Sequence, residues 1–542
     1  MRSTTLSHFS RRTFLATTAA AAGLSALPMA PARAAAKYRR YNVTSAEGRK
    51  ALASYAKAVE IMLKLPPTDP RNWFRNAFIH MMDCPHGNWW FFVWHRGYLG
   101  YFEQTIRALS GDETFAIPYW DWTELPQIPQ DMFDGVLDPT HHIYEAYTKN
   151  LAVFTAFIQP SLKSYWATLT PAQQTQLNAR GYNTFTDMWN DVTAYVPSLK
   201  TGVTGNVAFA PTCGARYLSR DNPKLDARTA KAVSAPTVAS GLKPTLFYDA
   251  DIALSFTSSK TPSHNTAPSG TTQFSILEGQ PHNLTHNCIG GVGAIDPGPY
   301  GNMTNNLSPV DPIFFLHHSN MDRLWDVWTN KQKRLHLPYL PTGEDLATLS
   351  KEPFLFYVNA DGTYVGPTVA ADFFSTDKFD YDYQPGFGDQ LDLPAPSPAV
   401  AAAPSFKATL KGKIAALTVP LAAVQSHQAA AALPQLALEI TLPHPSGGTG
   451  GRSFDVLVNA PPGTTEATPD SPYYAGTISF FGSLMPGMKM SHDATFILPL
   501  PTTLAALRSP GPKGAALNVQ LVAVDGHAEE VPAIKAVAVR TL

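Results

Sequence analysis

Cysteine is scarce. The 542 residues contain three, Cys84, Cys213 and Cys288, which excludes a disulfide-stapled scaffold and a four-cysteine zinc site. Charge is scarce as well: 15% of residues are Asp, Glu, Lys or Arg, and 41 basic side chains nearly balance 42 acidic ones for a formal net charge of -1. Such a chain has no electrostatic footprint for a phosphate backbone, so nucleic acid is not an expected partner. Beyond the N-terminal segment no apolar run reaches spanning length, and no membrane span is expected in the mature chain. What is present points to a large core. Hydrophobic residues make up 44% of the chain, too many for wholesale disorder. The 47 prolines against 36 glycines suggest long, stiffened loops, and ten tryptophans suggest heavy aromatic packing. The length predicts two or three domains.

The N-terminus reads as an address. Ser10-Arg11-Arg12-Thr13-Phe14-Leu15 is a twin-arginine pattern, followed by an Ala-rich stretch and then Ala32-Arg33-Ala34, an A-x-A cleavage signal. Gly23 and Pro28 make the stretch a poor spanning helix. Residues 1–34 are therefore expected to be a twin-arginine signal peptide, with export to the periplasm or the medium.

The remainder divides in two. A helical stripe of Leu52, Tyr55, Val59, Met62 and Leu63 lies in 46–64, and 92–109 and 311–330 are further helix candidates. A hairpin is expected around Asp361-Gly362 within 356–365. Residues 386–404, rich in Pro, Ala and Ser, read as a linker. Beyond it the period becomes two: Leu436, Leu438, Ile440 and Leu442 alternate, as do Phe454, Val456 and Val458, and Leu517, Val519, Leu521 and Ala523. The expected fold is a mainly α core over 35–385 and a C-terminal antiparallel β-sandwich over 405–542.

Two histidine clusters carry the chemistry. The first is His80, His86 and His95, set among Trp and Phe; the second is His282 and His286, then Asp311-Pro312-Ile313-Phe314-Phe315-Leu316-His317-His318, with Asp322 following. On a helix, His282 and His286 would share a face, as would His318 and Asp322, and a carboxylate one turn away could orient an imidazole. Three imidazoles per cluster without a thiolate pair suit Cu, Zn or Fe rather than Mg or Ca. Six neutral imidazoles buried without partners would be costly, and a dinuclear metal site removes that cost. Apart from His492, the remaining histidines, His8, His141, His142, His264, His336, His427, His444 and His527, read as ordinary core or surface residues. A dizinc hydrolase is disfavoured because neither motif offers a bridging carboxylate.

These motifs resemble the type-3 copper proteins: tyrosinases, catechol oxidases (polyphenol oxidases) and hemocyanins. His86 and His95, running into Arg96-Gly97-Tyr98-Leu99-Gly100-Tyr101-Phe102-Glu103, are similar to the first copper signature. Asp311-Pro312-Ile313-Phe314 leading to His318-x-x-x-Asp322 is similar to the second, and Ile117-Pro118-Tyr119-Trp120-Asp121-Trp122 resembles a segment between them. The resemblance covers roughly residues 38–385. It implies two copper ions, one held by His80, His86 and His95 and the other by His282, His286 and His318, with His317 beside the ligand and not itself one. It also implies a thioether between Cys84 and His86, a water-holding glutamate in Glu278, and an asparagine associated with monophenolase activity in Asn283. Small phenols and dioxygen are the implied substrates: o-diphenols oxidised to o-quinones, with monophenol hydroxylation besides. An oxygen-binding hemocyanin-like protein is the alternative on the same six histidines. Beyond the linker, Phe454-Asp455-Val456-Leu457-Val458-Asn459 and the tyrosine motif Tyr381-Asp382-Tyr383 resemble plant polyphenol oxidases, where the tyrosine motif pairs with an arginine, here Arg39 or Arg40, and the C-terminal domain covers the site of a latent proenzyme. Met485, Met488, Met490 and His492 are candidates for a soft Cu(I)-binding plug over that site, against the plainer reading of methionines filling a sandwich core. A pairing of Cys213 with Cys288 stays open.

Overall fold

Helix α1 (Ala46–Lys64) starts where the Ser45 hydroxyl accepts the Gly48 amide and buries Leu52, Tyr55, Val59, Met62 and Leu63, the stripe expected from sequence. The chain is described by a computed structural model that covers residues 36–193, 195–196, 204–205, 215–295, 300–391, 405–411, 414–430, 434–444, 452–482, 493–524 and 531–542. The expected signal peptide, Cys213 and the Met485–His492 segment lie outside these residues, as does most of the expected linker.

Helices α2 (Trp73–Asp83), α3 (Phe91–Ser110), α4 (Pro171–Arg180), α5 (Ala227–Ala232), α6 (Asn283–Gly290) and α7 (Ile313–Arg334) complete the part of the core that matters below. The tryptophans act as packing mass: Trp73, Trp89, Trp90, Trp94, Trp120, Trp122, Trp325 and Trp328 are all fully buried. Strand β1 (Tyr38–Arg40) pairs in parallel with β3 (Tyr381–Tyr383), Arg40 opposite Tyr383, and so joins the two ends of the core. Arg40 reaches Asp322 (2.9 Å), Glu103 and the Tyr383 hydroxyl (2.8 Å), and its guanidinium lies 3.7 Å from the Tyr381 ring centroid. Arg40 is therefore the inward partner of the tyrosine motif, while Arg39 pairs with Asp382 at the half-exposed surface. The expected hairpin at 356–365 is present in short form, with Val365 N–H donating to the Tyr357 carbonyl at 2.9 Å and Asn359 N–H to the Thr363 carbonyl at 2.8 Å. Gly362 takes φ 87°, but cross-pairing stops at a single bridge between Val358 and Tyr364.

The C-terminal part is two five-stranded sheets that do not close on each other. The first runs β9 (Tyr474–Ser479), β8 (Ser453–Val458), β11 (Ala515–Ala523), β6 (Ile414–Val419), β5 (Thr409–Lys411), antiparallel throughout. The second contains β10 (Asp493–Pro499), β7 (Leu436–Pro443), β12 (Ala536–Thr541) and β4 (Phe406–Lys407), and its outer strand comes from the helical core: β2 (Thr272–Phe274) pairs with β10 in parallel. The sheet region is thus antiparallel except at this one borrowed edge, where the Phe274 and Phe496 rings stack 5.0 Å apart. Residues 38–542 form one compact unit. Among the described residues no helix is long and apolar enough to cross a membrane.

Candidate metal centre

Six segments of helix, π-helix and loop bring the histidines together. His80 sits near the C-terminus of α2, which ends at Cys84; His95 is in the first turns of α3; and the loop between them carries His86. That loop turns at Gly87, with φ 66°, where an added Cβ would stand 2.5 Å from Thr272 Cγ2, so both the conformation and the close approach require glycine. His282 ends a turn of π-helix, Glu278–His282, that leads directly into α6 with His286. Pro281 within this turn lacks the amide that a regular helix would use, which favours the widened geometry. His318 lies on α7.

All six imidazoles are buried or nearly so, and the two groups face each other. The ring centroids of His95 and His318 are 4.3 Å apart and those of His86 and His282 are 5.5 Å apart. Hydrogen bonds fix the tautomers. The Nδ1 atoms of His80, His95 and His286 each lie 2.7 Å from a backbone carbonyl, those of Asn306, Phe91 and Met303, and His282 Nδ1 lies 2.9 Å from Asn283 Oδ1. A carbonyl only accepts, so each Nδ1 carries the proton and each Nε2 is left with a bare lone pair. Those lone pairs converge. Nε2 of His80 and Nε2 of His95 are 3.4 Å apart, and Nε2 of His286 and Nε2 of His318 are 3.2 Å apart. His86 Nε2 and His282 Nε2 are buried without a protein partner. Protonation is no remedy, because burial drives all these imidazoles below their ordinary value, His95 and His282 to about 3. Facing lone pairs in a dry pocket fit metal ions between them, and a set of imidazoles alone suits copper.

His317 lies beside this set, with one ring nitrogen within 4.8 Å of the ligand atoms of His282, His286 and His318. Its tautomer separates it. Trp122 Nε1, which can only donate, gives its proton to His317 Nδ1 at 2.9 Å, so the neutral His317 carries its proton on Nε2 and has no lone pair to offer there.

Asp322 does not orient His318, contrary to the spacing argument. Its carboxylate is taken by Arg96 (2.7 Å), Arg40 (2.9 Å), Tyr383 (2.5 Å) and Tyr381, while His318 Nδ1 has no partner. Burial alone would push this carboxyl up; Arg96 and Arg40 more than offset it and hold it below the usual range. Its task is to lock α3, α7 and the tyrosine motif together.

Cys84 is a buried free thiol with Sγ 3.5 Å from His86 Nδ1. Cys288 is also free and buried, accepting the Asp226 amide at 3.4 Å. Glu278 is no exposed loop charge: it is buried, accepting the Gly87 amide at 2.6 Å and the Ser258 hydroxyl at 2.5 Å. Burial raises its carboxyl to about 8 in spite of those two hydrogen bonds. Asn283 is likewise buried, its amide reaching the Ser479 carbonyl at 3.3 Å. His264, an ordinary core histidine by sequence, is clamped between Asp83 (2.8 Å) and Glu352 (2.5 Å), which overcome burial and raise it to about 9.

Sequence reasoning missed Phe481. It follows β9, and its ring lies 4.3 Å from His286, 5.0 Å from His86 and 5.3 Å from His282. It also missed Phe91 and Phe314, which pack against His282 (4.8 Å) and His318 (4.2 Å) from within the core. A single Phe in an aromatic-rich chain carries no local signal for such a role.

The common central domain of tyrosinase matches residues 63–331, a span that contains all six imidazoles. The chain belongs to the tyrosinase and polyphenol oxidase family of type-3 copper proteins. It is 27% identical over 366 residues to a chloroplastic polyphenol oxidase of Vitis vinifera, covering 64% of this chain and 46% of that one. It is 24% identical over 306 residues to aureusidin synthase of Antirrhinum majus, covering 51% of this chain and 40% of that one. The matched region is about half the length of these curated relatives or less. Among solved structures, a latent aurone synthase (polyphenol oxidase) shares the fold, with a TM-score of 0.54, 19% identity, and coverage of 94% of this chain and 90% of that one. The family and the two histidine clusters together support a site for two copper ions.

Proposed function

We propose that this protein is a copper-dependent phenol oxidase that turns o-diphenols into o-quinones with dioxygen, hydroxylates monophenols, and is made in a latent form. The convergence of six imidazoles, each with an Nε2 that either has no protein partner or faces a second imidazole, carries the reading. His80, His86 and His95 would hold one copper and His282, His286 and His318 the other. The bound pair would supply dioxygen binding and two-electron redox chemistry. The chain supplies the rest. Carbonyls behind Nδ1 keep the imidazoles aimed, and Phe91 and Phe314 keep water out. Glu278, bonded to Gly87 of the loop that carries His86, is the proton acceptor: burial holds its carboxyl above the ordinary range in the metal-free chain, and two bound copper ions would favour its ionised form, which can take the phenol proton. Asn283 holds His282 Nδ1 and supports the same face of the site. Cys84 and His86 would be joined as a thioether, which would fix that imidazole.

Latency is supported by Phe481 over the imidazoles and by the polar seam beside it. Asn287 donates to Ser479 Oγ (2.6 Å) and the Phe480 carbonyl (2.8 Å), and Gln280 donates to the Thr477 carbonyl (3.2 Å). Arg228 of α5 grips Asp455 of β8 with both Nε (2.9 Å) and Nη2 (2.8 Å). The fold shared with a latent polyphenol oxidase agrees with this reading. Export through the twin-arginine pathway, with cleavage near Ala34, belongs to the same proposal.

The test is to load the full chain with copper, measure two ions per chain, and follow quinone formation from catechol and from tyrosine in air, before and after removal of the C-terminal region. One feature favours the second reading, an oxygen carrier: Phe481 shields the site as a permanent cover would. A copper-loaded core, freed of the cover, that binds dioxygen reversibly without forming quinone would establish the carrier and overturn the oxidase.

A further inference from the structure

Arg180 ends α4, far from either histidine motif in sequence, yet it grips Cys84 twice. Nη1 donates to the Cys84 carbonyl at 2.6 Å, and Nη2 donates to Cys84 Sγ at 3.1 Å. Nη1 also donates to Asn265 Oδ1 at 2.9 Å. Among the described residues Arg180 makes no ion pair with a carboxylate, although an arginine at a buried position ordinarily has one. Its two terminal nitrogens are directed at one cysteine and at one amide that braces it, with the Tyr182 hydroxyl alongside.

The brace is itself anchored. Asn265 Nδ2 donates to Asp83 Oδ1 at 3.3 Å. Asp83 precedes Cys84 and also accepts from Trp94 Nε1 (2.7 Å) and from His264 (2.8 Å), and His264 is held in turn by Glu352. The contacts close a ring from Cys84 through Arg180 and Asn265 back to Asp83 on the same helix.

We infer that Arg180 is the positioning residue for the Cys84–His86 thioether: by holding the carbonyl and the sulfur of Cys84 at once, it keeps Sγ against the His86 ring. A cysteine side chain has three staggered wells about χ1, and only one of them points the sulfur at a given neighbour. A planar guanidinium bonded to both the backbone carbonyl and the sulfur of that residue selects the well, because its donors are fixed in one fork. Sγ then sits 3.5 Å from His86 Nδ1, the ring atom bonded to the Cε1–H carbon. The reaction breaks the Cys84 S–H and one His86 ring C–H and forms one S–C bond. The two protons and two electrons released pass to dioxygen, in the presence of copper, and leave as hydrogen peroxide.

This inference rests on the proposed Cys84–His86 pair, and the experiment separates the two. Wild-type full-length protein is loaded with copper in air, and the crosslink is followed over time by intact mass and peptide mapping as the loss of two hydrogens, resistant to reductant. Arg180→Met keeps the stem and removes every donor; Arg180→Lys keeps a charge without the fork. Both variants are expected to bind two coppers and to crosslink several-fold more slowly than wild type, the Met variant more so. Asn265→Ala, which leaves Arg180 in place but removes its brace, is expected to slow the crosslink as well and serves if Arg180→Met does not fold. Crosslinking at the wild-type rate in copper-loaded Arg180→Met, or in both Arg180→Lys and Asn265→Ala, overturns the role of Arg180 alone. A wild-type chain whose Cys84 stays free and alkylates after unfolding overturns the pair, and Arg180 with it.

Discussion

The Phe481 ring lies 4.3 Å from that of His286 and 5.0 Å from that of His86, so one side chain of the C-terminal region touches an imidazole of each triad. No copper pair could be approached by a planar phenol from that side without moving it.

Phe481→Ala should therefore raise the oxidase activity of the intact, copper-loaded chain at least several-fold, with copper content unchanged. Truncating a buried Phe costs about 3–5 kcal/mol, so a lower thermal midpoint is expected alongside. Unchanged activity in a folded, fully loaded variant would show that Phe481 is packing and not a cover.

Arg228→Gln should loosen the seam. It leaves Asp455, fully buried and bonded otherwise to Thr477 at 2.7 Å, without its cation, a loss on the order of 3–5 kcal/mol. Adding Asp455→Asn should recover much of it, since the stranded charge is gone. Limited proteolysis and activity on catechol, run on the single and double variants, read the coupling; additive effects would mean that the pair is not a latch.

His318→Ala should lose one copper per chain and all oxidase activity, while His317→Ala should keep two coppers. The Trp122 proton on His317 Nδ1 is the reason. Metal analysis of the two purified variants decides it, and the reverse pattern would exchange the two assignments.

Metal-free protein should be acid-labile well before its carboxylates titrate. His95 and His282 stay unprotonated down to about pH 3 in the fold, whereas in the unfolded chain they take up protons near 6.5. The unfolded state thus binds more protons below that value, and stability present above pH 6.5 is lost as pH falls toward 3. At pH 5.5 these two groups together remove roughly 3 kcal/mol. Bound copper occupies the same lone pairs and should delay the loss. Thermal midpoints at pH 7.5 and 5.5, with and without copper, measure this; a metal-free chain equally stable at both would refute it.

Local pattern made much of this legible. The stripe of α1 and the alternation of β7 and β11 are read from periodicity, because one face of each is more deeply buried than the other; the helix around His318 and β8 are buried on all sides and are read from their apolar content. The ligand candidates were legible because imidazoles in apolar sequence have few other uses. What stayed hidden depends on distant partners. Asp322 has helical spacing from His318, yet two arginines and two tyrosines from other segments outbid the imidazole for it. Glu278 could have been a surface charge; Gly87 and Ser258, distant in sequence, make it a buried acid. Met485–His492, the candidate plug, lies outside the described residues; Phe481, just upstream, packs against the imidazoles and has no local signature. The borrowed strand β2 has no signature at all, since three residues of Thr-Gln-Phe become a strand only because β10 lies alongside.

That borrowed strand changes what cutting the chain between core and sheets would accomplish. While the chain between them is uncut, the sheet region is held at high effective concentration beside its own docking edge. Severing it turns an intramolecular contact into a bimolecular complex, still clasped through the Thr272–Phe274 edge, the Phe274–Phe496 stack and the Arg228–Asp455 pair. A nicked sample should consequently stay dormant when concentrated and awaken on dilution, so that dissociation, and not hydrolysis of a peptide bond, sets the moment of activation.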